Sequence, residues 1–539
     1  MEERNAGRGF LILSIAGLVG KLLSAIYMPF LRGIIGVEGY GIYQASYDVF
    51  IFIFAVTSLG TQPAVTKVVT ELRAIGNHKD ALRAMKLARR YLAIIGTIVT
   101  ILFMVFAFNI ANIVNSPRSG LALFILAPTI VLSAILSSYR GYIQGIEDMN
   151  TLAISQVLEQ IINVVLSLLF AFLLAKFSLE WGSAGGTVGT SIGALVAIIF
   201  IIFIYEKRNY EDEAIISDVS TKRVSDRTIL RKLITYGLPI TLVAGMQNAA
   251  GIIDVINVNG RLLYAGFSAS EVEGLYGILG SYKTLIYVPL TIVTALGTAI
   301  FPKIIQAFVE RNKRELKKQM SYSFRITYMI TIPATFGLAI LAEPIYRFLF
   351  GTSQGYELLL YGSCVLIFMS ITTIQNTILQ GINKLYLILF TAGLGIVIKF
   401  AANYFLVGIK EINILGAVIG NLLAFLVPTI INHRQLTRFF KVKIPIIKQA
   451  IVPLISSIIM SFVIYAIKVP IIRSIGIISV GTLATRILIG LATFLLVSIG
   501  GIVYLYIMVY FGGIRKKDLD MISPKLYKFM PRSIRRQLI

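Results

Sequence analysis

Charged side chains inside long apolar runs are the residues able to do chemistry here. They are Lys21, Asp48, Glu159, Asp254, Lys283 and Lys399, with Arg32 nearer the end of its run. An ionised group at mid-bilayer costs about 2.5–3.5 kcal/mol, so such residues face a partner or a wet cavity. The three cations Lys21, Arg32 and Lys283 favour an anion, phosphate above all, for which lysine serves as a point charge. The carboxylates Asp48, Glu159 and Asp254 could balance them, coordinate a cation or carry protons. The alternative is that all of them form internal ion pairs that only fix helix registry. Glu343 and Arg347, four apart near a predicted helix end, read as a local ion pair.

Other chemistry is not indicated. No Gly-Lys-Ser/Thr phosphate loop occurs at the required spacing. His78 and His433 fall in basic segments and read as solvated surface residues. The single cysteine, Cys364, allows neither an intramolecular disulfide nor a cysteine metal cluster. No Ser-His-Asp set stands out, so neither an enzyme nor a cofactor is expected.

The elements that position these charges follow from composition. The 539 residues are 57% apolar, with mean hydropathy +0.82. Runs of the roughly 20 residues needed to span a bilayer recur throughout. They lack the alternation of barrel strands, which leaves helices as the way to satisfy the backbone in lipid. The expectation is an all-α polytopic membrane protein with fourteen transmembrane helices. The net charge of +24 does not indicate nucleic acid, because the basic residues cluster in alternate loops. The opposite loops hold only Arg118, Lys176, Arg261, Lys410, Lys468, Arg473 and Arg486. This asymmetry predicts cytoplasmic termini and attraction to anionic lipids.

The chain also repeats itself. Tyr40-Gly41-Ile42, Ser46-Tyr47-Asp48 and Leu59-Gly60-Thr61 recur as Tyr276-Gly277-Ile278, Ser281-Tyr282-Lys283 and Leu296-Gly297-Thr298. Gln144-Gly145-Ile146 recurs as Gln380-Gly381-Ile382, so separate matches share an offset near 236. Such an offset signals duplication. Asp48 of the first copy stands where the second has Lys283. The predicted organisation is an N-terminal lobe over 1–205, a cytoplasmic linker over 206–231 and a C-terminal lobe over 232–432. Two further helices follow over 433–511, then a basic cytoplasmic tail over 512–539. Residues 71–90 read as an amphipathic surface segment. The sixth span opens with Gly182, Gly185, Gly186 and Gly189, echoed by Gly416 and Gly420 of the twelfth. Six helices per lobe give both lobes the same orientation, a parallel pseudo-twofold repeat of the kind secondary transporters use.

On these features the chain resembles the multidrug/oligosaccharidyl-lipid/polysaccharide exporter superfamily. The resemblance is to its polysaccharide-transport and MurJ-like branch, which includes stage V sporulation protein B. It rests on Gly36 to Asp48, on Ser281-Tyr282-Lys283 through Pro289 to Phe301-Pro302, and on the paired Gln144-Gly145 and Gln380-Gly381. It implies two six-helix lobes plus two C-terminal helices in a bacterial cytoplasmic membrane. It also implies that Lys21 and Lys283 line a central cavity and engage a lipid-linked diphosphate, with Arg32 and Asp48 beside them. The pattern departs at Tyr27, where a second arginine of the first helix would align, and in the second span, which carries Asp48 and no arginine. Some relatives hold sodium between their seventh, eleventh and twelfth helices. Here Lys399 and Asn403 occupy the eleventh span, and the expectation is that Lys399 pairs with Asp254 and replaces that ion.

The function so implied is a flippase for a polyprenyl-diphosphate-linked glycan, lipid II for peptidoglycan first among them, with cell-wall synthesis proteins as possible partners. The alternatives are a flippase for another lipid-linked polysaccharide repeat, a cation-coupled drug antiporter of the same superfamily, or a non-transporting scaffold. Acidic rather than basic cavity residues would suit the antiporter.

Overall fold

The computed structural model describes residues 2–220, 222–442, 446–477 and 482–514, and every regular element among them is a helix. Among the described residues, twelve helical stretches are long and apolar enough to cross a membrane, or up to thirteen if the bent pair Tyr356–Gly362 and Val365–Gly381 is one span. The expected fourteen differs because helical geometry runs on through a kink in the first stretch, Ala16–Ala74, which is 59 residues long. The kink is at Gly36, whose φ of 73° and ψ of 179° suit glycine and strain any residue with a Cβ. From residue 515 onward the expected basic tail lies outside the described residues.

Met1–Ser281 with Leu385–Gly420 form one compact unit, and Tyr282–Lys384 with Asn421–Ile539 form a second. The first unit begins with α1 (Glu2–Ser58), α2 (Thr61–Ala74), α3 (His78–Ile113), α4 (Gly120–Leu126) and α5 (Pro128–Gly145). It continues through α6 (Met149–Leu174), α7 (Leu179–Lys207), α8 (Tyr210–Ile216), α9 (Asp226–Ile253) and α10 (Asn259–Tyr264). A π-helical turn over Asp254–Val258 joins α9 to α10. The small residues expected at the start of the sixth span let α7 lie backbone to backbone on α6. A Cβ on Gly185 would sit 2.5 Å from the Phe170 carbonyl oxygen, and one on Gly189 would sit 2.2 Å from that of Asn163. Small residues serve this close approach where lipid supplies no hydrophobic drive.

The segment expected as a linker is folded onto its neighbours, and the amphipathic segment expected over 71–90 continues into the apolar helix α3. Asn77 caps α3 by accepting from the Asp80 amide. Asp80 is buried and accepts from the Asn77 side chain at 2.7 Å and from the Val224 amide at 2.7 Å. Lys86 pairs with Glu211 of α8, and Arg83 with Asp226 at 2.6 Å. Burial would raise the Asp148 carboxyl, but hydrogen bonds from Thr151 and Tyr210 and the Arg208 charge outweigh it and hold it below its usual range.

The second unit takes in most of α11 (Ala269–Val309), then α12 (Lys313–Ile340), α13 (Ala342–Phe350), α14 (Tyr356–Gly362) and α15 (Val365–Gly381). The chain then re-enters the first unit as α16 (Leu385–Leu406) and the start of α17 (Leu415–Phe440). The two additional helices, α18 (Ile446–Ile477) and α19 (Thr482–Tyr510), pack on α12 and α13. Their shared core includes Leu341, Met460, Ile464, Leu496, Tyr504 and Met508. Tyr504 donates to the Met329 carbonyl at 3.0 Å, and Lys468 to that of Ile340 at 2.9 Å. Glu343 and Arg347 form an ion pair at 2.7 Å within α13.

Asp80→Ala removes the acceptor of the part-buried Val224 N–H and one of the two acceptors of the buried Asn77 amide, a loss of about 1–3 kcal/mol. Thermal unfolding of the detergent-solubilised protein should show a clear fall in Tm for Asp80→Ala. Lys318→Ala, at an exposed pair, should show almost none.

Candidate functional site

The duplicated motifs meet each other. Gly41 and Gly277, equivalent by the repeat offset, lie where α1 and α11 cross. A Cβ on Gly41 would sit 1.8 Å from the Glu273 carbonyl oxygen, and one on Gly277 would sit 2.1 Å from that of Val37. Glycine at both positions is what brings the two backbones together. Around this crossing the polar side chains of the first repeat find partners on the second. Arg32, 3% exposed, donates to the Ser281 hydroxyl at 2.7 Å. Asp48, also buried, accepts from the Tyr276 hydroxyl at 2.6 Å and from the Gln44 amide at 2.9 Å. Gly251 of α9 leaves room beside the Asp48 carboxylate. An aromatic ladder of Tyr40, Tyr43, Tyr47, Phe50 and Phe54 runs along α1 past Asp48, with successive ring centroids 5.6–6.0 Å apart. Tyr27, standing where an arginine would align, is buried and donates to the Gly186 carbonyl at 2.7 Å.

A second group is a buried charge pair. Lys399 of α16 lies 2.8 Å from the Asp254 carboxylate and also donates to the Ala250 carbonyl at 3.1 Å. Asn403, one turn along α16, donates to the other Asp254 oxygen at 3.1 Å. Asp254 is 0% exposed and Lys399 3%. The pair falls where α9 passes into its π-helical turn, a distortion frequent at functional positions. Gly420 closes the group, since a Cβ there would lie 2.1 Å from the Asn403 side-chain oxygen.

Glu159 pairs with Arg140 at 2.7 Å, and Arg140 also donates to Ser155 at 2.8 Å. Sequence reasoning missed Arg140, although Ser155 and Glu159 are four apart on one face of α6 and present a matching acceptor stripe. It also quoted Tyr276 without assigning it to the site, though its place in the repeat motif was the signal. Lys21 is exposed on α1, one turn from Ser24, whose hydroxyl accepts from Gln160 at 2.9 Å. No carboxylate lies within ion-pair range of Lys21 among the described residues. Lys283 is half-buried on α11, two residues beyond Ser281. Arg32 and Asp48 thus share one seam, while Asp254, Lys399 and Asn403 share another group. Among the described residues, no cluster of three or more His, Cys, Asp or Glu side chains forms a metal site.

Known proteins share this plan. A family model described as polysaccharide biosynthesis protein matches residues 6–308. The chain belongs to that family. Its relatives include the lipid II flippase MurJ of Bacillus subtilis (strain 168), 24% identical over 474 residues, covering 84% of this chain and 86% of the relative. Stage V sporulation protein B of the same organism is 24% identical over 455 residues, covering 84% and 87%. Among solved structures, the lipid II flippase MurJ in an inward closed conformation superposes with a TM-score of 0.68. It is 16% identical, over 93% of this chain and 98% of that one. An inward-facing multidrug resistance MATE family transporter of the MOP superfamily gives 0.63 at 18% identity, over 78% and 95%. This member of the polysaccharide biosynthesis family is therefore an α-helical, multi-pass membrane protein with the MurJ/MATE fold, as the sequence resemblance implied.

Leaving either partner of the Asp254–Lys399 pair buried and alone costs about 3–5 kcal/mol. Lys399→Met and Asp254→Asn should each lower the thermal stability of the purified protein, and the double variant should recover most of the loss. Gly277→Ala, which drives a methyl group into the Val37 carbonyl, should destabilise the seam by about 1–3 kcal/mol in the same assay.

Proposed function

We propose that this protein is a flippase for a polyprenyl-diphosphate-linked glycan, with lipid II as the leading substrate, in a bacterial cytoplasmic membrane with both termini cytoplasmic. The reading rests on the likeness to the B. subtilis flippase across most of the chain, joined to one observation about this chain's own charges. Lys21 presents an ammonium on a helix long and apolar enough to span a membrane, with no carboxylate beside it among the described residues. An unneutralised cation in that position is costly unless it faces water or an anionic ligand. A lipid-linked diphosphate supplies such an anion.

The headgroup cannot cross hydrocarbon unaided, because its sugars and phosphates would lose their water without replacement hydrogen bonds. Lys21, Lys283 and Arg32 supply substitute partners in a cationic cavity while the polyprenyl tail stays in lipid. The lobes 1–205 and 232–432 rock about that site. Arg32 and Asp48 are held in the closed seam through Ser281 and Tyr276, so opening there exposes both to the passing headgroup. Membrane potential biases the return step, at about 2.3 kcal/mol per charge per 100 mV. The Lys399 ammonium stands in for a bound alkali cation, fixed in place by Asp254 and the Ala250 carbonyl.

In proteoliposomes given lipid II, Lys21→Ala and Lys283→Ala should each abolish flipping while leaving membrane insertion intact. Wild-type rates for both variants would overturn the assignment. Running the same assay with a different lipid-linked glycan separates the leading substrate from its alternatives. Replacing sodium by potassium on both sides should leave the rate unchanged, since the cation position is already filled by Lys399.

A further inference from the structure

One charged cluster plays no part in that account. Arg118 stands in the turn between α3 and α4, Glu38 just beyond the Gly36 kink, Glu180 in the first turn of α7 and Glu273 in the first turns of α11. All four fall at helix ends that the charge pattern of the sequence assigns to the side opposite the basic loops. The Arg118 guanidinium lies 2.6 Å from Glu38, 2.8 Å from Glu273 and 3.4 Å from Glu180. Three carboxylates around one cation exceed what surface neutralisation requires, and their origins differ. Glu38 and Glu180 belong to the same repeat as Arg118. Glu273 belongs to the other repeat and is only 6% exposed.

Glu38 and Glu273 are also counterparts. Val37-Glu38-Gly39 precedes Tyr40-Gly41 in the first copy, and Val272-Glu273-Gly274 precedes Leu275-Tyr276-Gly277 in the second. Duplication has therefore left one glutamate on each side of the Gly41–Gly277 crossing, and a single arginine bridges them. Asn259 and Gly260 of α10 approach the same turn, with the Asn259 side chain 3.5 Å from the Val114 carbonyl and the position of a Gly260 Cβ 3.1 Å from the Asn115 amide.

We infer that Arg118 is a latch, anchored on its own repeat by Glu38 and Glu180 and caught across the seam by Glu273, which holds the outer end of the Gly41–Gly277 crossing shut. The inference rests on the flippase reading for its place in a transport cycle, but the latch itself is defined by residues in contact. The anchoring matters because a long arginine held by two carboxylates loses little further rotamer freedom when it meets the third. The catch matters because Glu273 is buried when the seam is closed and would regain water when it opens. Arg118 is then a positioning residue, acting on access to Arg32 and Asp48 rather than on the substrate itself.

The test needs no glycan, so its result is independent of the flipping assay. In a Cys364→Ser background, Gln44→Cys places a thiol one turn deeper than Gly41, against Gly280. A membrane-impermeant maleimide added from outside should label it slowly. Arg118→Gln and Glu273→Gln should each raise the labelling rate about tenfold, and the double variant no further, as expected for partners in one contact. Glu38→Gln, which loosens only the anchor, should give a smaller increase, and Arg118→Lys should stay near the parent rate. Unchanged labelling in both single variants, or fully additive increases in the double, would overturn the latch. If Arg118→Gln is recovered only unfolded, Glu273→Gln supplies the same readout on a folded protein.

Discussion

A charge taken out of water must be given something in return, and much of this molecule is arranged around that requirement. Where the low-dielectric interior is most complete, the compensation is most complete. Asp254 and Lys399 are almost fully enclosed, and each carries an additional hydrogen bond, from Asn403 and to the Ala250 carbonyl respectively. Arg140 pairs with Glu159 in a less enclosed place, and it alone of the two is shown donating further, to Ser155. Asp48 accepts from two neutral donors, a tyrosine and a glutamine.

The same requirement explains why backbone proximity is concentrated where it is. Hydrogen bonds of 2.6–2.7 Å between side chains of different helices demand that the helix axes come close. Gly41 and Gly277 make this possible at the repeat crossing, and Gly420 makes it possible beside Asn403. In lipid, where helices gain little from burying apolar surface against one another, these close approaches and the polar contacts they permit carry much of the specificity of packing. The glycine of the repeat motif and the polar residues a turn away from it are therefore one device.

Duplication has been put to unequal use. Tyr40 and Tyr276 are sequence counterparts, yet Tyr40 stacks within its own aromatic ladder while Tyr276 reaches the Asp48 carboxylate. Ser46 donates to its own helix, at the Tyr43 carbonyl, whereas Ser281 accepts from Arg32 of the other repeat. Glu38 stays with its own repeat through Arg118, whereas Glu273 meets that arginine from across the seam. Equivalent positions thus serve as partner and counter-partner at a single crossing. This is how two similar halves acquire a polar seam in which even a pair of like charges, Glu38 and Glu273, shares an arginine between them.

What the sequence determined by itself was whatever depends on neighbours along the chain. Run length and hydropathy made the protein helical and membrane-spanning, since a helix satisfies its own backbone and needs only its own twenty residues to do so. The offset between Tyr40-Gly41 and Tyr276-Gly277 revealed the duplication, and cost alone marked Lys21, Asp48, Asp254 and Lys399 as residues to explain. Tertiary structure decided who meets whom. That Arg140 answers Glu159, that Tyr276 reaches Asp48, and that the segment expected as a linker lies clamped on α3 through Asp80 are matters of distance between segments tens to hundreds of residues apart. No local pattern encodes such distances; they emerge only when the helices have packed and each buried donor has found an acceptor within reach.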